Sequence, residues 1–261
     1  MPRCKTKAVV FDLDDTIGHF EQLSIFLHGL EQGIVGFKQH REYFAKILDM
    51  FPNYFRPGII DSLKLLKKRK QRDKCLKVII YTNNNGPRSW TLAIKNYLEN
   101  KINSKIFDRI ITKHNHHSII NCRTTHNKTR ADLIRCASLP KQARILFLDD
   151  QYHKLMNHKN IQYLLLAPYN YRLPPDIMIH RFLHSSVGKI IPKFEHTRFR
   201  DFMKQVLKSE KEYIIRKSSI SKKDKQAKKQ IIREIKKFTT VHKQTRKFHN
   251  KSGKQTKRKY V

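Results

Sequence analysis

Acidic residues are scarce in this sequence: 21 Asp and Glu stand against 56 Lys and Arg, a formal net charge of +35 over 261 residues. A folded surface at that charge repels itself unless anions neutralise it, so nucleic acid, a phosphorylated protein or an acidic partner is expected nearby. Cysteine is scarce too. Cys4, Cys75, Cys122 and Cys136 lie far apart with no C-x-x-C pair. That argues against a disulfide scaffold at this size and reads as reduced, structural thiols of a cytosolic or nuclear compartment. Long apolar runs are missing: Val78–Tyr81 and Tyr163–Ala167 are far too short to cross a bilayer, and the charged motif at Asp12 leaves no room ahead of it for a signal peptide. The expectation is a soluble intracellular protein with no membrane partner. There are no internal repeats, and a hydrophobic share of 39% is low enough to predict that some polar segment stays unpacked.

The positive charge is unevenly spread. From Lys208 to Val261 there are 20 Lys and Arg and only 4 Asp and Glu. This divides the chain into a body, residues 1–207, and a Lys/Arg-rich tail, residues 208–261, expected to be helical or disordered. Ala227, Ile231, Ile235 and Phe238 recur at helical spacing and predict a short basic amphipathic helix, either docked on the body or standing alone. Beyond it, Lys243–Lys259 has almost no apolar side chains to offset the entropy of ordering. Its clustered charge, ending in Lys257-Arg258-Lys259, suits phosphate-backbone contact or nuclear import. The tail is therefore expected to hold nucleic acid without sequence preference, and its removal to leave turnover of a small phosphate ester unchanged.

In the body, Lys7–Leu13, Leu76–Thr82, Arg144–Asp149 and Ile161–Ala167 are short apolar runs of the kind that form buried parallel strands, with Phe107–Thr112 a weaker fifth. Helical stretches separate them, including Pro57–Lys70 after Arg56-Pro-Gly58, and Thr129–Ala137. This alternation predicts an α/β, Rossmann-like parallel sheet covered on both faces. Residues 20–54 read as a helical insert, either packed on the body or capping a crevice. Beyond Pro168 the rhythm is lost, the pair Pro174-Pro175 is expected to break regularity, and Phe194–Leu207 forms one more helix.

Three strand ends are polar: Asp12 and Asp14, Thr82-Asn83, and Asp149-Asp150. The carboxyl ends of strands in an open α/β sheet form the ligand crevice, so these residues converge. In Asp12-Leu-Asp14-Asp15-Thr16 one carboxylate can attack phosphorus while the second handles protons. Thr82 and Asn83 offer a hydroxyl and backbone N–H groups to a phosphate. Lys128, rather than its rival Lys113, can neutralise a phosphoryl charge. Adjacent ionised carboxylates at Asp149-Asp150 repel and call for a cation, and hard oxygen ligands favour magnesium over zinc. His114, His116, His117, Cys122 and His126 fit no zinc spacing and read as a basic polar loop. His153 is placed near the crevice mouth.

FDLDDT, YTNNNG, a Lys and FLDD, in that order, resemble the four motifs of the haloacid-dehalogenase-like superfamily, over residues 7–167. The second Asp points to its phosphotransferring members. DLDDT and the Arg-Pro-Gly are similar to the NLI-interacting/CTD-phosphatase-like branch, whose members act on phosphoproteins. Thr82-Asn83 with Gly86 is nearer to polynucleotide 3′-phosphatases, and the motifs with the Lys-rich tail also resemble uncharacterised proteins of large DNA viruses. The resemblance implies an aspartyl-phosphate on Asp12, acid–base chemistry by Asp14, and phosphoryl binding by Thr82 and Lys128. It further implies Mg2+ held by Asp12, the Asp14 backbone carbonyl and Asp149, with Asp150 in support. A phosphoprotein Ser/Thr phosphatase is expected first. The alternatives are a nucleic-acid end phosphatase, for which the basic body would supply a funnel, and a nucleic-acid-binding or virion protein whose site is incidental.

Overall fold

The computed structural model describes residues 5–37, 41–113, 122–208 and 220–240. Five short strands form one parallel sheet: β1 Lys7–Phe11, β2 Leu76–Tyr81, β3 Arg109–Ile111, β4 Arg144–Asp149 and β5 Ile161–Leu165, in the order β3-β2-β1-β4-β5. All five expected strands are present. Central β1 is in register with both neighbours, Phe11 lying opposite Ile80 of β2 and Leu148 of β4. The residues that follow these positions therefore leave the sheet along one edge. The chain builds outward from β1 through β2 to β3, then crosses back to add β4 and β5 on the other side. The reversal between β1 and β4 is where such a sheet opens a crevice.

Side chains of a strand alternate between faces. Val9, Phe11, Val78, Ile80, Leu146 and Leu148 belong to one buried core, while Ala8, Val10, Ile79, Tyr81, Ile145 and Phe147 belong to the other. Burial on both sides explains why the strands read as unbroken apolar runs. The two layers are unequal. Helix α5 Arg130–Cys136, capped by the Thr129 side chain, packs on the Val10 face through Leu133. The Val9 face carries α1 Glu21–Gly33, α2 Arg41–Met50, α3 Ile59–Arg72, α4 Arg88–Lys101, α6 Pro175–Leu183, α7 His196–Lys208 and α8 Lys222–Thr239.

The insert is α1 and α2. It is packed against the body, with α1 on α7 and α2 against α4 and α6. Buried Gln22 ties it down, donating to Leu173 O at 2.7 Å and accepting from Leu173 N at 2.9 Å. The same helices line the crevice, so the insert is both packed layer and crevice wall.

Three expectations are corrected. Pro174-Pro175 starts α6 instead of interrupting structure, because proline's fixed φ and missing N–H cost nothing at a helix N-terminus. The body does not end at 207. Ile231 and Ile235 of α8 are fully buried and Phe238 nearly so, and the helix lies beside α3 with Lys228 paired to Asp61 at 2.7 Å. The amphipathic stripe thus docks on the chain's own body, where its apolar face is removed from water. Nor are the cysteines all reduced: Cys122 and Cys136 form a disulfide, α5 and the loop before it bringing the two Cα atoms to 5.1 Å. The histidines at 114, 116 and 117 and the Lys243–Lys259 run lie outside the described residues.

Candidate active site

The crevice at the carboxyl edge has a volume of about 1290 Å³ and is lined by Asp12, Asp14, Thr82, Asn83, Lys128 and Asp150 at its floor, with α1, α2 and α4 as walls. Six of the seven residues singled out in the sequence therefore reach one cavity. The seventh, Asp149, sits behind it, fully buried.

Lys128 is the hub. Only 2% exposed, it places Nζ 2.5 Å from Asp12 Oδ1 and 2.7 Å from Asp149 Oδ2. Its rival Lys113 donates instead to Asn85 Oδ1 on an exposed rim. Asp12, Asp149 and Asp150 each offer a carboxylate oxygen, and the three oxygens lie within 4.8 Å of one another. One ammonium cannot balance the four carboxylates of Asp12, Asp14, Asp149 and Asp150, and Asp12 and Asp149 already share it. An all-oxygen, anionic, under-neutralised donor set fits a hard cation.

The electrostatics separate the carboxylates. Burial pushes Asp12 up to about 7 against the attraction of Lys128, with Asp149 adding repulsion. Asp149 experiences the same burial, but His153, 3.4 Å away, and Lys128 outweigh it and hold its carboxyl below the ordinary range. Burial also raises Asp14, partly offset by the Asn84 amide, which donates to its Oδ2 at 2.7 Å. Asp150 is raised by burial although Thr16 Oγ1 donates to it at 3.0 Å. Asp12 is thus a carboxyl group that can bind a proton near neutral pH in the cation-free site, and Asp14 is shifted in the same direction.

The turn carrying Asp12 and Asp14 is held from within by Asp15 and from outside by the Arg56-Pro-Gly58 segment. Arg56, 2% exposed, donates to the carbonyls of Thr16 at 2.8 Å, Ala167 at 2.7 Å and Asp15, and its guanidinium lies 5.4 Å from the Tyr169 ring centroid. Asp15 takes φ 54°, a left-handed value that Asp tolerates, and its Oδ1 meets His19 Nδ1 at 2.6 Å. Gly58, at φ 90°, lets the chain turn from Arg56 into α3; a Cβ there would also lie 2.6 Å from Lys228 of α8.

A second arginine organises the other bank. Arg123, equally buried, donates to the carbonyls of Thr82 at 3.1 Å, Thr112 at 3.2 Å, His126 at 2.9 Å and Asn127 at 3.0 Å, and to Asn83 Oδ1 at 2.8 Å, with its guanidinium 5.0 Å from the Tyr81 ring centroid. It joins the end of β2 to the loop that delivers Lys128. Asn83 therefore has its side-chain oxygen committed to Arg123, so it is through N–H donors that it can face an anion. Thr82 Oγ1 accepts from Asn84 N at 3.0 Å, an arrangement that leaves the hydroxyl proton as a donor. Arg56 was legible only as part of a turn, and Arg123 had no signal: in a chain with 56 cations, a buried arginine looks like any other.

The crevice is not basic. Among its described lining residues Lys128 is the sole Lys or Arg, against Asp12, Asp14, Asp15, Glu21, Glu31 and Asp150. Aromatic side chains, Phe20, Phe37, Phe44, Trp90 and Tyr97, line its outer part. The charge of the molecule is elsewhere. Comparisons with protein-family models, curated proteins and solved structures returned no match to this chain.

Proposed function

We propose that this protein is a metal-dependent phosphatase acting through an aspartyl-phosphate on Asp12. The observation that carries the reading is the buried Lys128 bridging Asp12 and Asp149 at the topological switch point, beside Asp14. An Asp12 carboxylate oxygen attacks phosphorus in line as the bond to the leaving oxygen breaks, and Asp14 gives that oxygen its proton. Asp14 then removes a proton from water as the water oxygen attacks the phosphorylated Asp12, releasing inorganic phosphate and restoring the carboxylate. Lys128 and the Thr82 hydroxyl hold the transferring group and offset its charge. Asp12, Asp149 and Asp150, with the Asp14 backbone carbonyl, would hold magnesium, which supplies electrostatic stabilisation of the phosphoryl oxygens.

The substrate reading is a phosphorylated Ser or Thr in a protein segment. A nucleic-acid strand would bring further phosphates against the acidic lining, whereas a peptide brings one phosphate and can lay apolar neighbours on Phe44 and Trp90. The test is acid-quenched labelling with a 32P-phosphopeptide in magnesium. Covalent label is expected in the wild type, more of it in Asp14→Asn and none in Asp12→Asn. The covalent route is lost if wild type and Asp14→Asn both stay unlabelled while the peptide is turned over. End-labelled DNA consumed faster than the peptide would reverse the substrate assignment.

A further inference from the structure

Helix α8 has two faces of opposite character. Ile231, Ile235 and Phe238 are buried against the body, while Lys222, Lys225, Lys229, Arg233 and Lys236 are exposed. At 3.6 residues per turn these five cations fall within roughly 80° of helix circumference and run roughly 21 Å along the axis. Lys223 and Lys237 flank the row. A solvated helix face ordinarily mixes signs at i, i+4 spacing, but here the neighbours at that spacing are Lys225–Lys229 and Lys229–Arg233. The helix has two acids. Asp224 is buried in the N-terminal capping box, and Glu234 is mostly covered beside Arg233 and Lys237. The row is fixed in space, because α8 is fastened along its length. Lys228, in its second turn, lies against Gly58 and pairs with Asp61, and beyond Phe238, which packs under the Arg144 guanidinium, Thr240 O accepts from Lys7 Nζ.

We infer that the exposed face of α8 is a docking surface for the phosphodiester backbone of a duplex nucleic acid, bound without regard to sequence. A straight row of cations meets its complement in an anion that repeats its charge along a line, and a duplex carries one phosphate per roughly 3.4 Å of axis on each strand. A membrane surface would need apolar side chains to insert, but those of α8 are committed to the core. The surface is separate from the acidic crevice, so this inference does not depend on the reaction proposed above.

The test uses the full chain and fluorescein-labelled DNA and RNA duplexes of about 25 base pairs, titrated by anisotropy across a salt series. Lys225→Gln/Lys229→Gln/Lys236→Gln keeps helix propensity and removes three charges from the row. Lys64→Gln/Lys68→Gln/Arg72→Gln removes three from the exposed side of α3 as a control of equal net charge. The α8 variant is expected to lose roughly tenfold or more in affinity near 0.1 M salt and to flatten the salt slope by about 2.7, the α3 variant far less. DNA and RNA losing alike would mark backbone recognition, and loss with one duplex only would name the source. Failure of the wild type to bind either duplex would overturn the inference, as would an unchanged slope in the α8 variant or equal loss in both variants. Phosphatidylserine vesicles or poly-glutamate displacing a duplex at matched charge would do the same.

Discussion

At the scale of single residues, protonation of the carboxylates would oppose cation binding, because the same oxygens would serve both. Burial raises Asp12 from an ordinary 3.8 to about 7, and Asp14 and Asp150 move the same way. A carboxyl raised in the folded state contributes stability that is fully present below its unfolded pKa and is lost as pH rises through the folded value. Cation-free protein is therefore expected to melt several degrees lower at pH 8 than at pH 5, since Asp12 must ionise in the folded state across that window. Asp149 is held low, so its contribution is lost only in more acidic solution and leaves this window untouched. Magnesium needs ionised ligands and should raise the melting temperature more at pH 8 than at pH 5. Calorimetry with chelator and with magnesium at both values checks this; equal melting of the chelated protein at the two pH values would mean Asp12 is ionised throughout. Asp12→Asn should abolish turnover of p-nitrophenyl phosphate while melting no lower than wild type at pH 8 in chelator, because the amide removes a buried charge without changing shape.

At the scale of elements, the reactive groups are set by two buried arginines and one disulfide. Arg123 fastens the Lys128 loop to the end of β2 through four carbonyls and Asn83. Arg123→Met would leave those acceptors buried and unpaired, at roughly 1–3 kcal/mol for each that water cannot reach. A loss of roughly 3 kcal/mol or more is expected by urea unfolding, with kcat falling because Lys128 is no longer fixed. Arg123→Lys should rescue little of either, since an ammonium cannot span a fork of acceptors. Wild-type kcat in Arg123→Met would show that Lys128 is placed without it. The Cys122–Cys136 bridge closes a loop around the start of α5, and chain-entropy reasoning assigns a loop of this length about 3 kcal/mol. Dithiothreitol should therefore lower the unfolding midpoint in the wild type more than in Cys136→Ser; an equal response would mean that this bridge adds nothing.

For the whole molecule, the main consequence is that the α/β body includes α8. Its three buried apolar side chains correspond to roughly 5–9 kcal/mol of burial at about 1.5–3 kcal/mol each, comparable with the stability of an entire domain. Truncation after Lys208 should therefore produce an unstable or aggregating protein, contrary to the expectation that removing the tail leaves small-ester turnover unchanged. Truncation after Thr240 should keep the wild-type melting temperature and turnover. Two thermal melts decide this: stable folding of the shorter chain would show that α8 is an appendage. The molecule also segregates charge, with an acidic, aromatic crevice at the carboxyl edge of the sheet and a cationic row along α8. Under the two proposals above, a phosphoprotein substrate and a nucleic-acid partner would be engaged without competing for one surface.

The sequence by itself determined the strands, their parallel arrangement and the polar residues at their ends. Those features are local: a short apolar run ending in Asp or Thr is visible without knowing what it packs against, and alternation with helices leaves few ways to arrange the sheet. Asp12, Asp14, Thr82 and Asp149-Asp150 were legible for that reason, and Lys128 by its place just before a helix and ahead of the last acidic pair. Tertiary structure alone decided what depends on partners distant along the chain. Arg56 and Arg123 are indistinguishable from surface cations until loops close over them. Lys128 was preferred to Lys113 on its placement ahead of Asp149-Asp150, but that its ammonium meets both Asp12 and Asp149 is a property of the folded chain. The apolar stripe of α8 has the same pattern docked or free, and only the surface of α3 and the ends of β1 and β4 settle which. The acidity of the crevice was hidden by a net charge of +35, because a sum over the chain contains no information about where each charge points.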